Sequence, residues 1–347
     1  MIIYGVAMKV RQLTFRLLQV YADVVRTGSL TATANRLHLT QPTVSQQLKR
    51  LREIVGEPIV RHEEGRLVPT EVGQALYQLS QDLLSRADVF SQYLEEYNRG
   101  GRGHFSIGLV NTAQYVLPRL LGPFGQANPQ VDVTVEIGNR QQMLNRFERH
   151  EDDIYVFSHP PIDDDVLAAP FLSNPLVVVG PQHCRWAGVE GLSMDALKEE
   201  RFLLREPGSA TRHTFEAWLY SAGIELRSTQ QIASNEAIRL AVASNMGLAV
   251  LSRHVVADSP NGVQELPLQG FPLKSRWHFV VRRQRRLPPA AIRFLSYVQA
   301  SLAQAFDEPE GEMAVAELLQ ALETERLGID LKPASIIPVE SGLDPMR

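Results

Sequence analysis

The chain has 347 residues, 44% hydrophobic and 21% charged, with a formal net charge of -4 at pH 7. This is the composition of a packed globular protein of two or three domains, and it excludes wholesale disorder. The one cysteine, Cys184, excludes an intramolecular disulfide, and the nine histidines have no cysteine or carboxylate partners at ligand spacing, so neither a metal nor a cofactor is expected.

No stretch approaches the roughly 18 consecutive apolar residues that span a bilayer. The opening MIIYGVAMKVRQ is too short for a secretory h-region followed by a cleavage site, and translation from Met1 or from Met8 fits equally. The expected compartment is a reducing cytoplasm. The net charge conceals an asymmetry. Residues 9–66 carry ten basic against five acidic side chains, a local +5, whereas 306–347 carry ten acidic against three basic, a local -7. A basic head is the field that nucleic acid attracts.

In chain order, Leu13 to Arg26 is apolar at helical spacing, and Thr27-Gly28-Ser29 stops it and caps a second short helix, Leu30 to Leu37. Thr40 caps a third, with Pro42 in its first turn and Gly56 at its end. Val44, Leu48, Leu51 and Val55 form its buried stripe, leaving Thr43, Ser45, Gln46, Gln47 and Arg50 outside. Ile59 to Arg61, the turn signal Glu63-Glu64-Gly65 and Arg66 to Val68 predict a hairpin, a candidate wing. Two short helices in tight sequence, the second exposing small polar and basic groups, fit the major groove. Gln41, Thr43, Ser45, Gln46 and Gln47 suit base edges, although the same pattern fits a solvated helix face.

From Glu71 to Asn98 there is no proline, and Val72, Leu76, Leu79, Leu83, Ala87, Phe90, Leu94 and Tyr97 recur every three or four residues, a narrow seam that wants a partner helix. Arg99 to Gly103 is a hinge. Strand-like runs then begin at 105, 131, 153, 176, 202, 247 and 277, with helical stretches between most of them, so a parallel or mixed α/β sheet is expected. Gly208-Ser209-Ala210-Thr211-Arg212 lies between a strand and a helix, where backbone N–H groups and the helix dipole favour an anion; Asn111-Thr112 and Ser234-Asn235 occupy similar positions, and Asn139-Arg140 adds a wall. Simple helix caps are the alternative. His183-Cys184 falls short of a metal or redox site, and His159 sits at a strand end near the expected cleft.

The segment GSLTATANRLHLTQPTVSQQLKRLREIVGEPIVRHEEGRLVPTEVG resembles the signature of LysR-type transcription regulators, matched at Ala34, Leu37, Gln41, Pro42, Ser45, Leu48, Leu51, Gly56, Arg61, Arg66, Thr70 and Gly73. Arg52 stands where the family has Glu, and Ile59-Val60 where it has Leu-Phe, departures that bear on wing packing. EIGNRQQML, PFLSNPLVVVGP, FLLREPGSATRHTFE, SNEAIRLAVASNMGLAVLSRH and GFPLKSRW are similar to the carbon-fixation regulators of that family.

The resemblance implies an α+β multidomain chain. A winged helix-turn-helix occupies 8–67 and a dimerising linker helix 68–99. A sensor like a type 2 periplasmic binding protein follows at 104–305, with subdomain I at about 104–175 and 276–305 and subdomain II at about 176–275. Residues 306–347 are expected to be an acidic mobile extension in which Val315, Leu319 and Leu322 form at most one short helix. Operator DNA would meet Ser29, Thr31, Gln41, Pro42, Thr43, Ser45, Gln46, Lys49, Arg50, Arg61 and Arg66. A sugar phosphate, 2-phosphoglycolate or a 2-oxo acid would meet Asn111, Thr112, Asn139, Ser209, Thr211, Arg212 and Asn235. A dimer of dimers that meets RNA polymerase is the expected assembly. An exported solute receptor would need a signal peptide, and an enzyme would need a nucleophile-base pair, P-loop or metal cluster; neither pattern is present.

Overall fold

A computed structural model describes residues 12–99, 103–257, 262–283, 285–306 and 309–327. The alternative start at Met8, the basic Lys9 and Arg11, most of the Arg99–Gly103 hinge and positions 328–347 lie outside the described residues.

The head comprises α1 (Phe15–Thr27), α2 (Leu30–Arg36), α3 (Gln41–Val55) and the hairpin β1 (Val60–Glu63) and β2 (Arg66–Pro69). The first three helices start at Thr14, Ser29 and Thr40, each accepting a first-turn amide, and α1 and α3 stop at Gly28 and Gly56 in the left-handed region. Glu64 and Gly65 both have positive φ, the tight-turn geometry that matches strand twist. Val44 and Leu51 are buried, and Leu48 packs partly against both halves of the head core.

The linker helix α4 (Glu71–Arg99) is fastened to the head by the Tyr21 hydroxyl, whose single O–H is shared between the carbonyls of Gly73 (2.8 Å) and Ile59 (3.0 Å). Leu76, expected in the seam, is instead buried in the head core, and Leu83 packs partly there. The remaining stripe is open: Val72, Leu79, Phe90 and Leu94 are exposed.

Two five-stranded mixed sheets follow. The first has the order β4-β3-β5-β12-β6, from β3 (Gly103–Val110), β4 (Val131–Gly138), β5 (Ile154–Phe157), β6 (Val166–Ser173) and β12 (Arg276–Arg282). The second, β11-β7-β10-β8-β9, holds β7 (Leu176–Pro181), β8 (Arg201–Leu204), β9 (Ser228–Gln231), β10 (Leu248–Ser252) and β11 (Val263–Leu266). Strand β3 runs parallel to β4 and β5, and β8 parallel to β9 and β10, whereas β7 is antiparallel to β10 and β11, and β12 to β5 and β6. The chain leaves the first sheet through Asn174 and Pro175 and returns at Arg276, where the Asn174 N–H donates to the Ser275 carbonyl at 2.8 Å.

Three strands are not expected from the sequence, β6, β9 and β11, and all lie at sheet edges. An edge strand pairs on one side only, so its sequence is under weaker demand for continuous apolar residues. STQQ in β9 and VQEL in β11 show little of that signal.

The C-terminal segment corrects the expectation of a mobile extension over its first half. After α11 (Pro289–Phe306), a 19-residue helix α12 (Pro309–Leu327) packs on β6 and α11. Val315 is fully buried and Leu318 is 4% exposed, both in the core of the first lobe. A Cβ on Gly311 would stand 2.2 Å from the Phe171 carbonyl oxygen, so only glycine admits this approach to the edge strand. Of its acidic residues, Glu317 and Glu323 are exposed, Glu310 bonds Arg276 at 2.8 Å, and Glu312 accepts from the Ala303 amide of α11 at 3.1 Å.

Candidate functional site

On α3, Gln41, Pro42, Ser45, Gln46, Lys49 and Arg50 are all exposed, and their spacing puts Gln41, Ser45, Gln46, Lys49 and Arg50 along one face. Opposite them Val44 and Leu51 anchor the helix. Thr43 is half-buried, with its hydroxyl 2.8 Å from that of Thr40, and Gln47 turns its amide oxygen inward, so these two belong to the cap and the inner side. Ser29 caps α2, accepting from the Ala32 amide at 3.3 Å, while Thr31 is exposed on that helix. On the wing, Arg61 pairs with Glu63 at 3.0 Å, and Arg66 lies against the Thr27 carbonyl at 3.5 Å. Asp23 is buried and holds both Arg26 and Arg36. Lys49 and Arg50 form no ion pair with any described residue, which leaves two unneutralised cations beside the polar face.

The second site lies between the lobes. Asn111 and Thr112 follow β3, Asn139 and Arg140 follow β4 at the start of α6 (Arg140–Glu148), and Arg205 to Thr211 join β8 to α8 (Ala210–Ala222). The carboxyl ends of parallel strands thus face one another across a gap, where open α/β sheets bind ligands. Val110, Asn111, Thr112, Asn139, Arg140, Arg205, Ser209 and Thr211 line this narrow cleft.

The alternatives of cap and ligand group now separate. Asn139 is a true cap: its Oδ1 accepts from the Gln142 amide at 2.9 Å while Gln142 bonds back. Ser234 likewise caps α9 (Asn235–Ala243). Thr112 accepts from the Trp277 indole at 3.2 Å. Ser209 and Thr211 differ. Each is 5% exposed, and neither hydroxyl bonds any described residue; Ser209 leaves the start of α8 without a side-chain cap. Both residues, with Ala210 between them, line the cleft.

Arg212 and Asn235 are placed otherwise than the sequence reading expects. The Arg212 guanidinium bonds Glu216 at 2.6 Å, the Arg205 carbonyl at 2.9 Å and Gln231 at 3.2 Å, and it lies outside the cleft lining. In the first turn of α8 its long side chain reaches the neighbouring glutamate four residues on, a pairing the helix itself provides. Asn235 stands behind the lining, its Oδ1 accepting from Arg205 Nη1. The cleft arginines are Arg205 and Arg140. Arg205, 3% exposed and absent from the sequence reading, could have been found by its place just past the end of a parallel strand. Arg140 is half-buried; its Nε donates to the His159 carbonyl at 3.4 Å, no described carboxylate pairs with it, and burial lowers its pKa. At the cleft edge, burial first, then Arg140 and His213, push the His159 imidazole below its usual range. Cys184 is half-buried away from this lining, and no described group of three His, Cys, Asp or Glu side chains could hold a metal.

A head offering an exposed polar helix, joined by a long helix to a two-lobed sensor with a cationic cleft, defines a ligand-responsive DNA-binding regulator. The chain belongs to the LysR family: residues 15–74 match the bacterial regulatory helix-turn-helix protein of the lysR family, and 98–303 match the LysR substrate binding domain. It is a sequence-specific DNA-binding transcription regulator. It is 34% identical over 300 residues to the HTH-type transcriptional activator CmpR of Synechocystis, covering 84% of this chain and 99% of that one. It is 33% identical over 304 residues to the RuBisCO operon transcriptional regulator of Acidithiobacillus ferrooxidans, covering 87% and 98%. Among solved structures, the Synechocystis CcmR regulatory domain in complex with 2-PG aligns at TM-score 0.56 and 34% identity, covering 58% of this chain and 98% of that one. No helix among the described residues is long and apolar enough to cross a membrane.

Proposed function

We propose that the chain controls genes of carbon fixation or central carbon metabolism in response to a small anionic metabolite bound between its sensor lobes. The observation that carries this is the pairing of Arg140, a half-buried cation without a carboxylate partner, with the hydroxyls of Ser209 and Thr211 at an uncapped helix start. A phosphate or carboxylate satisfies all of them at once. Asn111 and Thr112 form the wall from the first lobe, and Asn235 holds Arg205 in place. Similarity to regulators named for carbon fixation, and to a regulatory domain crystallised with 2-PG, supports the same class of ligand.

On this reading the protein is a cytoplasmic regulator rather than an enzyme. It dimerises along the open stripe of α4, assembles as a dimer of dimers, and meets RNA polymerase at its promoters. Ligand favours the closed lobes only by its difference in affinity for the two states. Calorimetry with sugar phosphates, 2-phosphoglycolate and 2-oxoglutarate tests the cleft: Arg140→Ala and Thr211→Ala weaken binding on the order of tenfold or more, and Arg212→Ala leaves it close to wild type. Equal affinity in wild type, Arg140→Ala and Thr211→Ala refutes the assignment. Genome-wide mapping of binding sites tests the pathway.

A further inference from the structure

An anion stands just behind the cleft lining, bonded to two of its residues, Arg205 and Asn139. Glu206 lies beside Arg205 and accepts from it twice, from Nε to Oε2 at 2.8 Å and from Nη2 to Oε1 at 2.9 Å. The same Oε1 accepts from Asn139 Nδ2 of the opposite lobe at 3.2 Å. The Gln141 amide of the first lobe also donates to the Gly208 carbonyl of the second at 3.4 Å. Gly208 has φ +89°, and a Cβ there would come within 3.1 Å of Gln141, so the loop is shaped to meet that helix start. Burial pushes the Glu206 carboxyl up, but its bonds to Arg205, its own backbone and Asn139 outweigh this and hold it below the ordinary carboxylate range.

We infer that Glu206 is a positioning residue with a second role: it is the resident counter-charge of the cleft, setting how much negative charge a ligand can bring, and it bridges the two lobes through Asn139. This inference rests on the cleft reading proposed above. Arg205 and Glu206 cancel, so the cleft presents the charge of Arg140 alone. A guanidinium has five N–H donors, and three of those of Arg205 are engaged by Glu206 and Asn235. The ligand therefore meets Arg205 through its remaining donors, and does so against the field of the adjacent carboxylate. Repulsion from that carboxylate scales with ligand charge, so it penalises a dianion twice as strongly as a monoanion in free energy, which is the square in affinity.

The test uses the full chain and two inorganic probes, sulfate with two charges and nitrate with one, measured by calorimetry in wild type, Glu206→Gln, Asn139→Ala and Arg140→Ala. Glu206→Gln keeps one oxygen for Asn139 and Arg205 Nη2, gives up the bond from Arg205 Nε, and removes the charge. It tightens sulfate on the order of tenfold and nitrate about threefold, the square root of that gain. Asn139→Ala loosens the bridge between the lobes but leaves the sulfate-to-nitrate ratio unchanged. Sulfate affinity that is equal or weaker in Glu206→Gln, while Arg140→Ala still loses binding, overturns the role of Glu206 and spares the cleft. An equal gain for both anions also overturns it, because the effect is then one of shape. If neither Arg140→Ala nor Glu206→Gln changes either affinity, the cleft reading falls and this inference with it.

Discussion

Removing the C-terminal helix should destabilise the sensor, although sequence similarity to the family ends before it. The most informative single change is Leu318→Ala. Leu318 is 4% exposed and sits in the core that joins α12 to β6 and α11, where the rigid strand and helix cannot collapse onto a void. Truncating such a leucine costs about 2–5 kcal/mol, and a mid-range loss of about 3 kcal/mol lowers Tm by roughly 6–12 °C for a domain of this size. Truncation after Phe306 removes the burial of Val315 as well and uncovers β6. At about 1.5–3 kcal/mol for each fully buried side chain, the gross loss is about 3–6 kcal/mol before the ordering cost of the helix is returned. Glu317→Ala, on the exposed side, is the control and stays within about 0.5 kcal/mol. Differential scanning calorimetry reads all three. If Leu318→Ala and the truncated chain both melt with wild type, α12 does not contribute to the core and the reasoning is wrong.

Three further outcomes follow from the geometry. Gln41→Ala with Gln46→Ala costs about 1–3 kcal/mol at the operator for each base edge that goes unread, whereas Lys49→Ala or Arg50→Ala lowers the salt dependence of binding by about one counterion; a double Gln variant with full operator affinity removes α3 from the groove. Leu79→Asp with Phe90→Asp, both on the open stripe of α4, yields monomers by light scattering, and a variant that remains dimeric places the interface elsewhere. Burial pushes the His278 imidazole down to about 4 and that of His150 down to about 3, both below the unfolded value near 6.5. The unfolded chain takes up these protons first, so stability is complete above about pH 6.5 and falls as pH drops toward 4. His278→Gln flattens that decline, and an unchanged pH profile of Tm refutes the assignment.

The elements legible in the sequence are those whose local signals agree with their tertiary surroundings. Thr40, Pro42 and Gly56 bracket α3 chemically, and the buried runs at 154, 176, 248 and 276 announce central strands. The short polar edge strands β9 and β11 escape because half of their surroundings are solvent, whereas β4, also at an edge, carries the alternation VDVTVEI. Helix α12 escapes because its acids dominate the composition, while its inner side depends on Gly311, Val315 and Leu318 meeting a strand 140 or so residues earlier. Leu76 carries the seam pattern yet turns to its own head, since a heptad stripe does not say which of two neighbours it faces.

Charge is the least legible property, for a reason that bears on both sites. A sequence supplies the number of cations, but only the fold decides which ones are cancelled. Asp23 cancels within the Arg26 and Arg36 cluster, Glu63 pairs with Arg61, Glu216 with Arg212 and Glu206 with Arg205. Lys49 and Arg50 on the exposed face of α3 and Arg140 in the cleft are left without a carboxylate among the described residues, as are Arg52, Arg66, Arg119 and Arg201 elsewhere; Arg140 differs from Lys49 and Arg50 in being half-buried. A surface cation of this kind is worth little to stability, and a half-buried one opposes folding through its desolvation. Cations so placed are what a phosphate backbone and a small anion would each meet, and a chain of net charge -4 can offer both because its excess acids lie elsewhere.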